Sequence, residues 1–519
     1  MLCLTKRIAL CFLLTLCFFL CGCAQQQEAE TPWVSLTALQ YELENQNTDF
    51  ANMWFFHQIE EETGIHVEFE EVKDQDWTTR LSLMFASNNF RDMILRGSLD
   101  TEEYGVTQHL LVPLEDYLED CMPNYFSRLN LDGAGDAIPS SDGHSYYIGF
   151  LLAQNINTDG HFFINQTWLD RLGLDIPTTI QELTEVLRAF RDGDPNGNGL
   201  RDEVPYQATF DDCNTGIYNA FSAWGIPMNE DFVFIDENYQ VHFAAEEAGF
   251  RPCAEWLHLL CEEKLLDVEC ITQGSNLWGA KVNTDTAGYF SYWRLGNTVL
   301  TEAVASQFQC MLPVHAEGYQ ARLGRLEDVV EFGAALTVQN EYVEDSLRWL
   351  DAQMETETML VAQNGPVGDT LRLREDGRYE VVYVPETNVL YQEVPVICGQ
   401  FFAPQSYYDQ VYVPAAHRQE KSAYSAMYEA AGVLEDISYR ELTYVMPKTS
   451  EESARILQLR TQLKTVVDSS LVSFMTDGVT DESYAAFLEA LDKAGVEEYK
   501  ALYQTAYDRY RRQREENAQ

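Results

Sequence analysis

The stretch "NQTWLDRLGLDIPTTIQELTEVLRAFRDGDPNGNGLRDE", residues 165–203, predicts two helices followed by an acidic loop. In "TIQELTEVLRAFRD" the apolar residues recur at the three- and four-residue spacing of an amphipathic helix. Pro177 precedes this segment and is followed by threonine, a residue that caps first helical turns. The loop that follows raises the question of whether a metal binds there.

The loop "DGDPNGNGLRDE", residues 192–203, has the oxygen spacing of a calcium loop. If Asp194 is position 1, oxygen-bearing groups fall at positions 3, 5, 7 and 9, and glycine falls at position 6, as in an EF-hand. Position 12 is Pro205, and no helix is predicted after the loop, so Glu203 is the candidate for the missing carboxylate. The predicted ligands are Asp194, Asn196, Asn198, the Leu200 carbonyl, Asp202 and Glu203.

Two other interpretations of this loop compete with calcium binding. Asn-Gly and Asp-Gly pairs form turns without any metal, so the loop can be a solvent-exposed acidic turn. The missing position-12 acid and outgoing helix argue against an EF-hand that opens as a switch. No candidate general base for catalysis neighbours the loop, which argues against a catalytic metal. We therefore predict a calcium ion with a structural role.

Outward from the loop, the chain alternates between predicted helices and strands. Toward the N-terminus, "NMWFFHQIEEETG" and "TTRLSLMFASNN" predict helices, whereas "IHVEFEEV" and "RDMILRG" predict strands. Beyond the loop follow a hairpin in "DFVFIDENYQVHFA", a long helix in "AGFRPCAEWLHLLCEEKLL", strand character near residue 330 and a helix in "VEDSLRWLDAQMETETMLVAQNG". The last seventy residues or so are predicted to be helical. This order favours an α/β fold with a largely parallel first sheet.

The composition is that of a folded and very acidic chain. Of the 519 residues, 46% are apolar and 12% aromatic, and 83 acids against 34 bases give a formal net charge of −49. A chain of this length is expected to form two or more lobes. Its negative field repels phosphate, so nucleic-acid binding is not expected.

The first thirty residues have the organisation of a secretory signal. Lys6 and Arg7 precede the apolar run "IALCFLLTLCFFL", which is shorter than the roughly 20 residues that a transmembrane helix needs. The sequence ending at Cys23 resembles a bacterial lipobox, in which the cysteine is lipidated and becomes the mature N-terminus. The polar segment "AQQQEAETP" suits a tether. Seven cysteines remain after Cys23; they show no zinc spacing and leave the disulfide pairing open.

No sequence motif for catalysis is present. HExxH, GxSxG, Walker and Rossmann patterns are all missing, and no histidines are paired at metal spacing. A catalytic pair of carboxylates would be invisible among so many acids. We therefore expect that the chain is not an enzyme.

Aromatic residues in turns form the second candidate site. Flat rings stack on the C–H faces of sugars, but ordinary core packing is the competing explanation for each of them. The predicted ligand-binding set is Tyr146, Tyr147, Trp278, Tyr289, Tyr292 and Trp293, with Tyr407 and Tyr408 in another loop. Trp168, Trp256 and Trp349 lie on amphipathic helices, and we expect them in the core.

The chain resembles the family 1 extracellular solute-binding proteins of bacterial carbohydrate ABC transporters, in the long lipoprotein subgroup that includes alginate-binding proteins. The resemblance rests on "HQIEEETGIHVEF", "TRLSLMFASNNFRDMI", "DGHSYY", "FINQTWLDRLGLDIPTTIQELTEVLRAF", the acidic loop, "LLCEEKLLD", "LRWLDAQMETETMLVAQNG" and "AYDRY". It implies a type II periplasmic-binding-protein-like fold of two α/β lobes joined by hinge strands, with a helical C-terminal region. It also implies that the acidic loop is a structural calcium site and that Tyr146 lies near the hinge.

The domain division that follows from this resemblance has four parts. These are a signal peptide at 1–22, a lipid-anchored linker at 23–31, an N-terminal lobe at 32–148 and 309–352, and a C-terminal lobe at 149–308 and 353–519. The implied function is the capture of an oligosaccharide outside the cell by a lipid-anchored monomer on the outer face of the cytoplasmic membrane, and its delivery to permease subunits. A sugar or peptide sensor coupled to a membrane signalling partner and a surface hydrolase are the alternatives. Because only Arg294 and few other bases lie near the candidate loops, we favour a neutral or cationic ligand over an anionic one.

Overall fold

The computed structural model describes residues 34–42, 49–129, 140, 142–149, 151–157, 160–293, 295, 300–329, 333–368, 371–381, 411–412, 421–434, 442, 446 and 448–517. The strands are β1 Val34–Glu42, β2 Ile65–Lys73, β3 Met93–Leu95, β4 Leu151–Asn157, β5 His161–Asn165, β6 Val204–Tyr206, β7 Val233–Ile235, β8 Val241–Phe243, β9 Ala287–Tyr292, β10 Phe308–Met311, β11 Leu326–Val329, β12 Ala334–Leu336, β13 Leu371–Leu373, β14 Tyr379–Val381 and β15 Val411–Tyr412.

The α-helices are α1 Trp54–Thr63, α2 Asp74–Ala86, α3 Leu118–Cys121, α4 Pro123–Leu129, α5 Gln166–Leu172, α6 Ile180–Asp192, α7 Phe250–Glu262, α8 Ser275–Val282, α9 Glu302–Ala305, α10 Val343–Ala352, α11 Thr356–Asn364, α12 Lys421–Ala430, α13 Ser450–Asp477, α14 Asp481–Ala494 and α15 Val496–Asn517. Short 3₁₀ turns lie at Phe50–Asn52, Ile217–Trp224, Ala244–Glu246 and Val268–Ile271, and a π-helical turn lies at Glu102–Thr107.

The first lobe is built on the sheet β12-β3-β1-β2. β1 is parallel to β2 and β3, whereas β12 is antiparallel to β3, so the prediction of a largely parallel sheet is confirmed. Gly64 ends α1 in the left-handed conformation at φ 71° and lets the chain enter β2 at the next residue. The core of the first lobe lies between α1, α10 and the sheet, and it includes Phe55, Leu36 and Trp349.

The second lobe is built on the mixed sheet β10-β5-β9-β6. β5 is antiparallel to both β9 and β10, and β6 is parallel to β9. The C-terminal helices share its core: Leu463 of α13 and Tyr499 of α15 belong to the same buried cluster as Trp168. The predicted helical C-terminal region is therefore part of this lobe.

The antiparallel pair β4–β11 joins the two lobes, with Leu326 opposite Asn157 and Val329 opposite Leu151. The chain passes from β4 directly into β5 and returns from β11 into β12. This pair corresponds to the predicted hinge strands.

The structure corrects the predicted lobe boundaries at two points. The first lobe does not resume at residue 309, because β10 pairs with β5 in the second sheet; it resumes at β12. Residues after 352 do not all belong to the second lobe either, since Met354 and Ala362 are buried in the core of the first. Both errors arise because pairing between distant segments leaves no local sequence signal.

The sequence predicts the start of α6 correctly but not the break after α10. Thr179 caps α6 in a capping box: its hydroxyl accepts the Glu182 N–H at 3.2 Å, and the Glu182 carboxylate accepts the Thr179 N–H at 3.2 Å. The single helix predicted from Val343 to Gly365 is instead α10 and α11. The Gln353 N–H bonds to the Leu350 carbonyl at 3.2 Å, a tightened turn that ends α10.

Burial confirms the core positions expected for three tryptophans and shows how the cysteines are used. Trp168, Trp256 and Trp349 are all buried. Of the cysteines in the described chain, Cys121, Cys253, Cys261, Cys270 and Cys310 are free thiols; Cys253, Cys270 and Cys310 are buried, and Cys213 is exposed. Cys398 lies outside the described residues. Across that same part of the chain, no helix combines the length and apolarity that crossing a membrane requires.

Candidate functional site

The acidic loop connects α6 to β6 and bends sharply. Asp194, Gly197 and Gly199 have φ values of 47°, 75° and 76°. Glycine adopts this left-handed region without steric cost, and Gly199 is the residue at the predicted sixth position. The backbone conformation therefore matches the sharp turn that the calcium-loop spacing requires.

Side-chain oxygens within this loop turn toward its own backbone. The Asn196 Oδ1 accepts the Asn198 N–H at 3.0 Å, and the Asn198 Oδ1 accepts the Leu200 N–H at 2.6 Å. Both Asp194 carboxylate oxygens lie 3.1–3.2 Å from the Gly199 nitrogen. Several hard oxygen atoms are thus gathered inside one short loop, which is the donor set that calcium prefers.

The Asp202 carboxylate accepts hydrogen bonds from two amide side chains. The Asn196 Nδ2 lies 3.2 Å from it, and the Asn198 Nδ2 lies 3.0 and 3.1 Å from its two oxygens. The Asn196 amide also reaches the Asp285 carbonyl at 3.4 Å, in the turn before β9. The loop therefore connects the end of α6 to the second sheet.

The Glu203 carboxylate is the clearest sign that a cation fits here. Both of its oxygens are buried, and neither accepts a hydrogen bond of normal geometry within the described chain. Burial raises the pKa of Glu203, and the charges of Asp202 and Asp194 raise it further, while nearby backbone amides oppose the shift only in part. A buried unpaired carboxylate is costly, and a bound cation would relieve that cost.

The donor set is not a cluster of acids alone. Among the residues that the structure describes, no three His, Cys, Asp or Glu side chains converge as metal ligands. Amide and backbone oxygens of this loop lie beside the acids, and calcium accepts oxygens of both kinds as ligands. The residues present thus fit a hard, oxygen-binding cation.

Two of the predicted ligand-binding residues, Tyr292 and Trp293, lie at the edge of the second sheet that is nearest to the β4–β11 pair joining the lobes. His161 begins β5 directly after β4, and it pairs with Tyr292 at the end of β9. Trp293 follows Tyr292, and both side chains are half-buried. In open α/β sheets, ligands bind at such edges.

His161 holds the backbone of Trp293 in place. Its imidazole is buried; Nδ1 donates to the Trp293 carbonyl at 3.0 Å, and Nε2 lies 3.3 Å from the Ser425 hydroxyl of α12. Sequence reasoning did not identify this residue, because a lone histidine gives no signal without the strand pairing.

Trp278 and Tyr289 do not reach a surface. Tyr289 stacks on Phe162 with ring centroids 5.9 Å apart, and Trp278 packs 4.9 Å from Tyr292, in both cases inside the core of the second lobe. Residues three apart on a strand face opposite sides, so Tyr289 and Tyr292 cannot both line one surface. Trp278 and Tyr289 are therefore removed from the proposed ligand-binding set.

Tyr146 and Tyr147 lie on the first lobe. Tyr146 is buried against Gly105, and its hydroxyl donates to Asp142 at 2.8 Å, so it too offers no free ring face. Tyr147 is half-buried, and its hydroxyl accepts the Gly333 N–H at 2.6 Å, where the chain re-enters the first lobe. Tyr147 thus lies next to the hinge pair β4–β11, the position that was expected for Tyr146.

The loop at 210–216 was not predicted. Its Asp212 carboxylate accepts the N–H groups of Asn214 and Thr215, both at 2.9 Å, and the Ser275 hydroxyl at 2.9 Å. The sequence "DDCNTG" carries the signal, a turn-forming cluster just beyond the end of β6. This loop presents polar groups close to β9, because Asn219 bonds both the Cys213 carbonyl and the Ser291 hydroxyl.

A cavity of about 590 Å³ lies elsewhere on the second lobe. It is lined mainly by apolar groups of the segments 176–178, 309–315 and 319–321 and of α12 and the turn after it. None of the predicted ligand-binding residues that the structure describes lines it. Cys23, Arg294, Tyr407 and Tyr408 lie outside the described residues.

With the two-lobed fold, its hinge pair and the acidic loop established, the chain is similar to the substrate-binding proteins of carbohydrate ABC transporters. One such relative is the fructooligosaccharide ABC transporter substrate-binding protein FusA of Streptococcus pneumoniae, 22% identical over 95% of this chain and 96% of the relative. Lipoprotein LipO of Bacillus subtilis is 27% identical over 28% of each chain. No family model matches the sequence.

Solved structures give the same fold. FusA in complex with kestose superposes with a TM-score of 0.77 at 20% identity, covering 92% of this chain and 100% of that one. An extracellular solute-binding protein from Bifidobacterium longum subsp. infantis gives 0.78 at 20% identity over 92% and 98%. The alginate-binding protein AlgQ2, solved without calcium ion, gives 0.70 at 19% identity over 92% and 99%. The predicted two-lobed α/β fold is confirmed.

Proposed function

We propose that this chain is an extracellular binding protein that captures an oligosaccharide between its two lobes and delivers it to an ABC transporter permease. Two observations support the proposal. The fold has two lobes joined by the strand pair β4–β11, and 95% of the chain is similar to FusA, by its name the substrate-binding protein of a fructooligosaccharide ABC transporter. Binding acts by differential affinity for open and closed lobes, and no bond is made or broken. The relatives are binding proteins, in keeping with a chain that is not an enzyme.

The proposed ligand contacts are Tyr147 on the first lobe and Tyr292 and Trp293 on the second. Their half-buried rings suit stacking on sugar C–H faces. The polar loop at 210–216 provides carboxylate and amide groups near β9 for sugar hydroxyls. No excess of bases accompanies these residues, so the proposed ligand is neutral or cationic.

We also propose a structural calcium ion in the loop at 192–203, held by Asp194, Asn196, Asn198, the Leu200 carbonyl, Asp202 and Glu203. The buried, unpaired Glu203 carboxylate supports this proposal. Two solved neighbours point the same way in their names: FusA has an "EF-hand mutant", and AlgQ2 was solved "without calcium ion".

We also propose that Cys23 is lipidated and that the protein is a monomer tethered by this lipid to the outer face of the bacterial cytoplasmic membrane. Replacing Cys23 with alanine is expected to leave the protein out of the membrane fraction, because the acyl chains that anchor it attach at that thiol. Membrane fractionation with metabolic labelling by palmitate measures this. Cys21→Ala is the matched control, and labelling that survives Cys23→Ala would contradict the assignment.

Ligand binding is tested by a thermal-shift screen with neutral, cationic and anionic oligosaccharides and with peptides. A ligand at a hundred times its Kd stabilises the folded state by about 2.7 kcal/mol and raises Tm. Trp293→Ala is expected to weaken the Kd about thirtyfold, since loss of a central aromatic contact costs about 2 kcal/mol. Tyr342→Ala, an exposed position at 46%, should bind as the parent does. A response to peptides alone, or turnover of any sugar, would refute the proposal.

A further inference from the structure

A buried amide side chain attaches the loop at 210–216 to the second sheet. Asn219 is only 7% exposed, and its Nδ2 lies 3.0 Å from the Cys213 carbonyl oxygen and 3.3 Å from that of Asn214. The same nitrogen lies 3.2 Å from the Ser291 hydroxyl of β9. A single amide group therefore fixes the middle of the loop against β9.

The Asn219 side chain is itself confined by the chain that leaves the hinge. Gly160 lies between β4 and β5, and an added Cβ at this position would be 2.4 Å from the Asn219 Nδ2. Its φ of 65° is in the left-handed region, which glycine adopts without steric cost. Because the backbone passes so close, the amide is held where it can donate to the loop.

An ion pair from α13 holds the other side of the same loop. The Lys464 ammonium lies 2.8 Å from the Asp211 carboxylate and 2.8 Å from that of Asp468, one helical turn further along α13. The Asp468 carboxylate also accepts the hydroxyl of the buried Tyr218, and the Lys464 Nζ lies 5.8 Å from the centre of the Tyr218 ring. Burial lowers the pKa of Lys464, but the hydrogen bonds to Asp211 and Asp468 outweigh it and raise the pKa, so the group is charged at neutral pH.

The loop also bonds to itself between these two anchors. The Gly216 N–H donates to the Asp212 carbonyl at 2.7 Å, and the Thr209 N–H donates to the Thr215 carbonyl at 2.9 Å. A partly exposed ion pair contributes little when it acts alone, but here it adds to a buried amide and to these backbone bonds. A loop that is ordered in advance does not lose conformational entropy when it binds a ligand.

We propose that Asn219 and Lys464 are positioning residues of the ligand site, which hold the loop at 210–216 ready for sugar hydroxyls before the ligand arrives. Neither residue contacts the ligand in this proposal. The effect on affinity rests on the proposed function, whereas the effect on the order of the loop does not.

The first test is hydrogen exchange, measured by mass spectrometry, of the segment 209–217 in the ligand-free mature chain. Lys464→Met keeps most of the side-chain length and removes the charge, and it is expected to speed exchange of this segment about fivefold, the upper end for a partly exposed ion pair. Lys464→Arg keeps the charge and should exchange as the parent does. Lys493→Met, which breaks the ion pair with Glu489 on α14, is the matched control and should leave the segment unchanged.

A second variant removes the amide anchor. Asn219→Leu has a similar volume but no donor, and it is expected to speed exchange of the same segment. Asn229→Leu is its matched control, because it removes a bond from an amide Nδ2 to the Val233 carbonyl, 2.7 Å long, elsewhere in the same lobe. The control should lower Tm without changing exchange at 209–217. If neither Lys464→Met nor Asn219→Leu speeds exchange there, the inference is wrong.

The second test is the Kd, by titration calorimetry, of the oligosaccharide that gives the parent its largest thermal shift. Both variants are expected to bind it about tenfold more weakly, since the ligand must then order the loop. Lys493→Met and Asn229→Leu should bind as the parent does. Faster exchange with an unchanged Kd would show that the loop is not part of the ligand site and would overturn the inference. If no oligosaccharide binds the parent, the proposed function fails, and the exchange result still decides whether the two residues hold the loop.

Discussion

Replacing Glu203 with glutamine is expected to stabilise the calcium-free protein and to destabilise the protein in calcium. Without metal, the parent buries a carboxylate that accepts no hydrogen bond of normal geometry within the described chain, and the amide removes that charge. With metal, the same carboxylate is a proposed ligand, and its loss weakens a site that contributes about 2.7 kcal/mol at a hundredfold excess of calcium over Kd. The two conditions should therefore rank the variant and the parent in opposite order.

Differential scanning calorimetry in excess chelator and in millimolar calcium measures this reversal. Glu237→Gln, in the turn between β7 and β8, is the matched control and should shift Tm equally little in both conditions. Asp194→Ala and Asp202→Ala should abolish the response to chelator. If the parent Tm does not respond to chelator, the loop is an acidic turn without a metal.

The pH dependence of the metal-free protein has a definite sign. Because the folded-state pKa of Glu203 lies above its usual value, the carboxyl favours folding while it is protonated and loses that contribution as pH rises through the raised pKa. In chelator, the parent should lose stability relative to Glu203→Gln as pH increases from the ordinary carboxyl range toward neutrality. Thermal unfolding at a series of pH values measures the difference.

Replacing Gly333 with alanine is expected to destabilise the first lobe by about 3 kcal/mol, the upper end of the usual cost of overpacking. An added Cβ would lie 2.0 Å from the Ile148 carbonyl oxygen and 2.6 Å from the Tyr147 ring. A backbone oxygen cannot move aside cheaply, because Ile148 pairs with Ala334 in a β-bridge. The Arg96 N–H bond to the Gly333 carbonyl, 2.8 Å long, is also disturbed.

Gly274→Ala is the matched control for this prediction. A Cβ there meets no atom within 4 Å, and the position precedes α8 with φ −89°, which alanine adopts. Urea unfolding of the ligand-free protein measures both variants. Equal stability of Gly333→Ala and the parent would mean that the re-entry of the chain into the first lobe is less tightly packed than the structure has it.

The sequence was sufficient where structure depends on neighbours along the chain. The capping box at Thr179, the end of α1 at Gly64 and the bends of the acidic loop all follow from residue type at fixed spacing. Hydrophobic alternation likewise predicted the helices and strands of the first lobe. The α/β class needed nothing more.

Prediction failed where structure depends on distant segments. The assignment of β10 to the first lobe was wrong because its partner, β5, lies about 145 residues earlier. Tyr289 and Trp278 are aromatic residues near turns. The pairing of β9 with β5 shows that Tyr289 faces the core, and the packing of α8 against β9 shows the same for Trp278. His161 and the loop at 210–216 became candidates only after the sheet edge was known.

The position of the second sheet in the chain, between β3 and β12 of the first sheet, has a consequence for the order of folding. The first sheet gains β12 only after residue 336 has been synthesised, and Asp351 must then arrive to accept the N–H groups of Asn124 and Tyr125 at 3.3 and 2.9 Å. Contacts across more than two hundred residues form slowly, because closing a long loop costs entropy first. The segment that is synthesised first thus waits for the strands of the second sheet to be synthesised before it can complete its own core. The α1–β2 region is accordingly expected to gain hydrogen-exchange protection later than β5 and α6 during refolding.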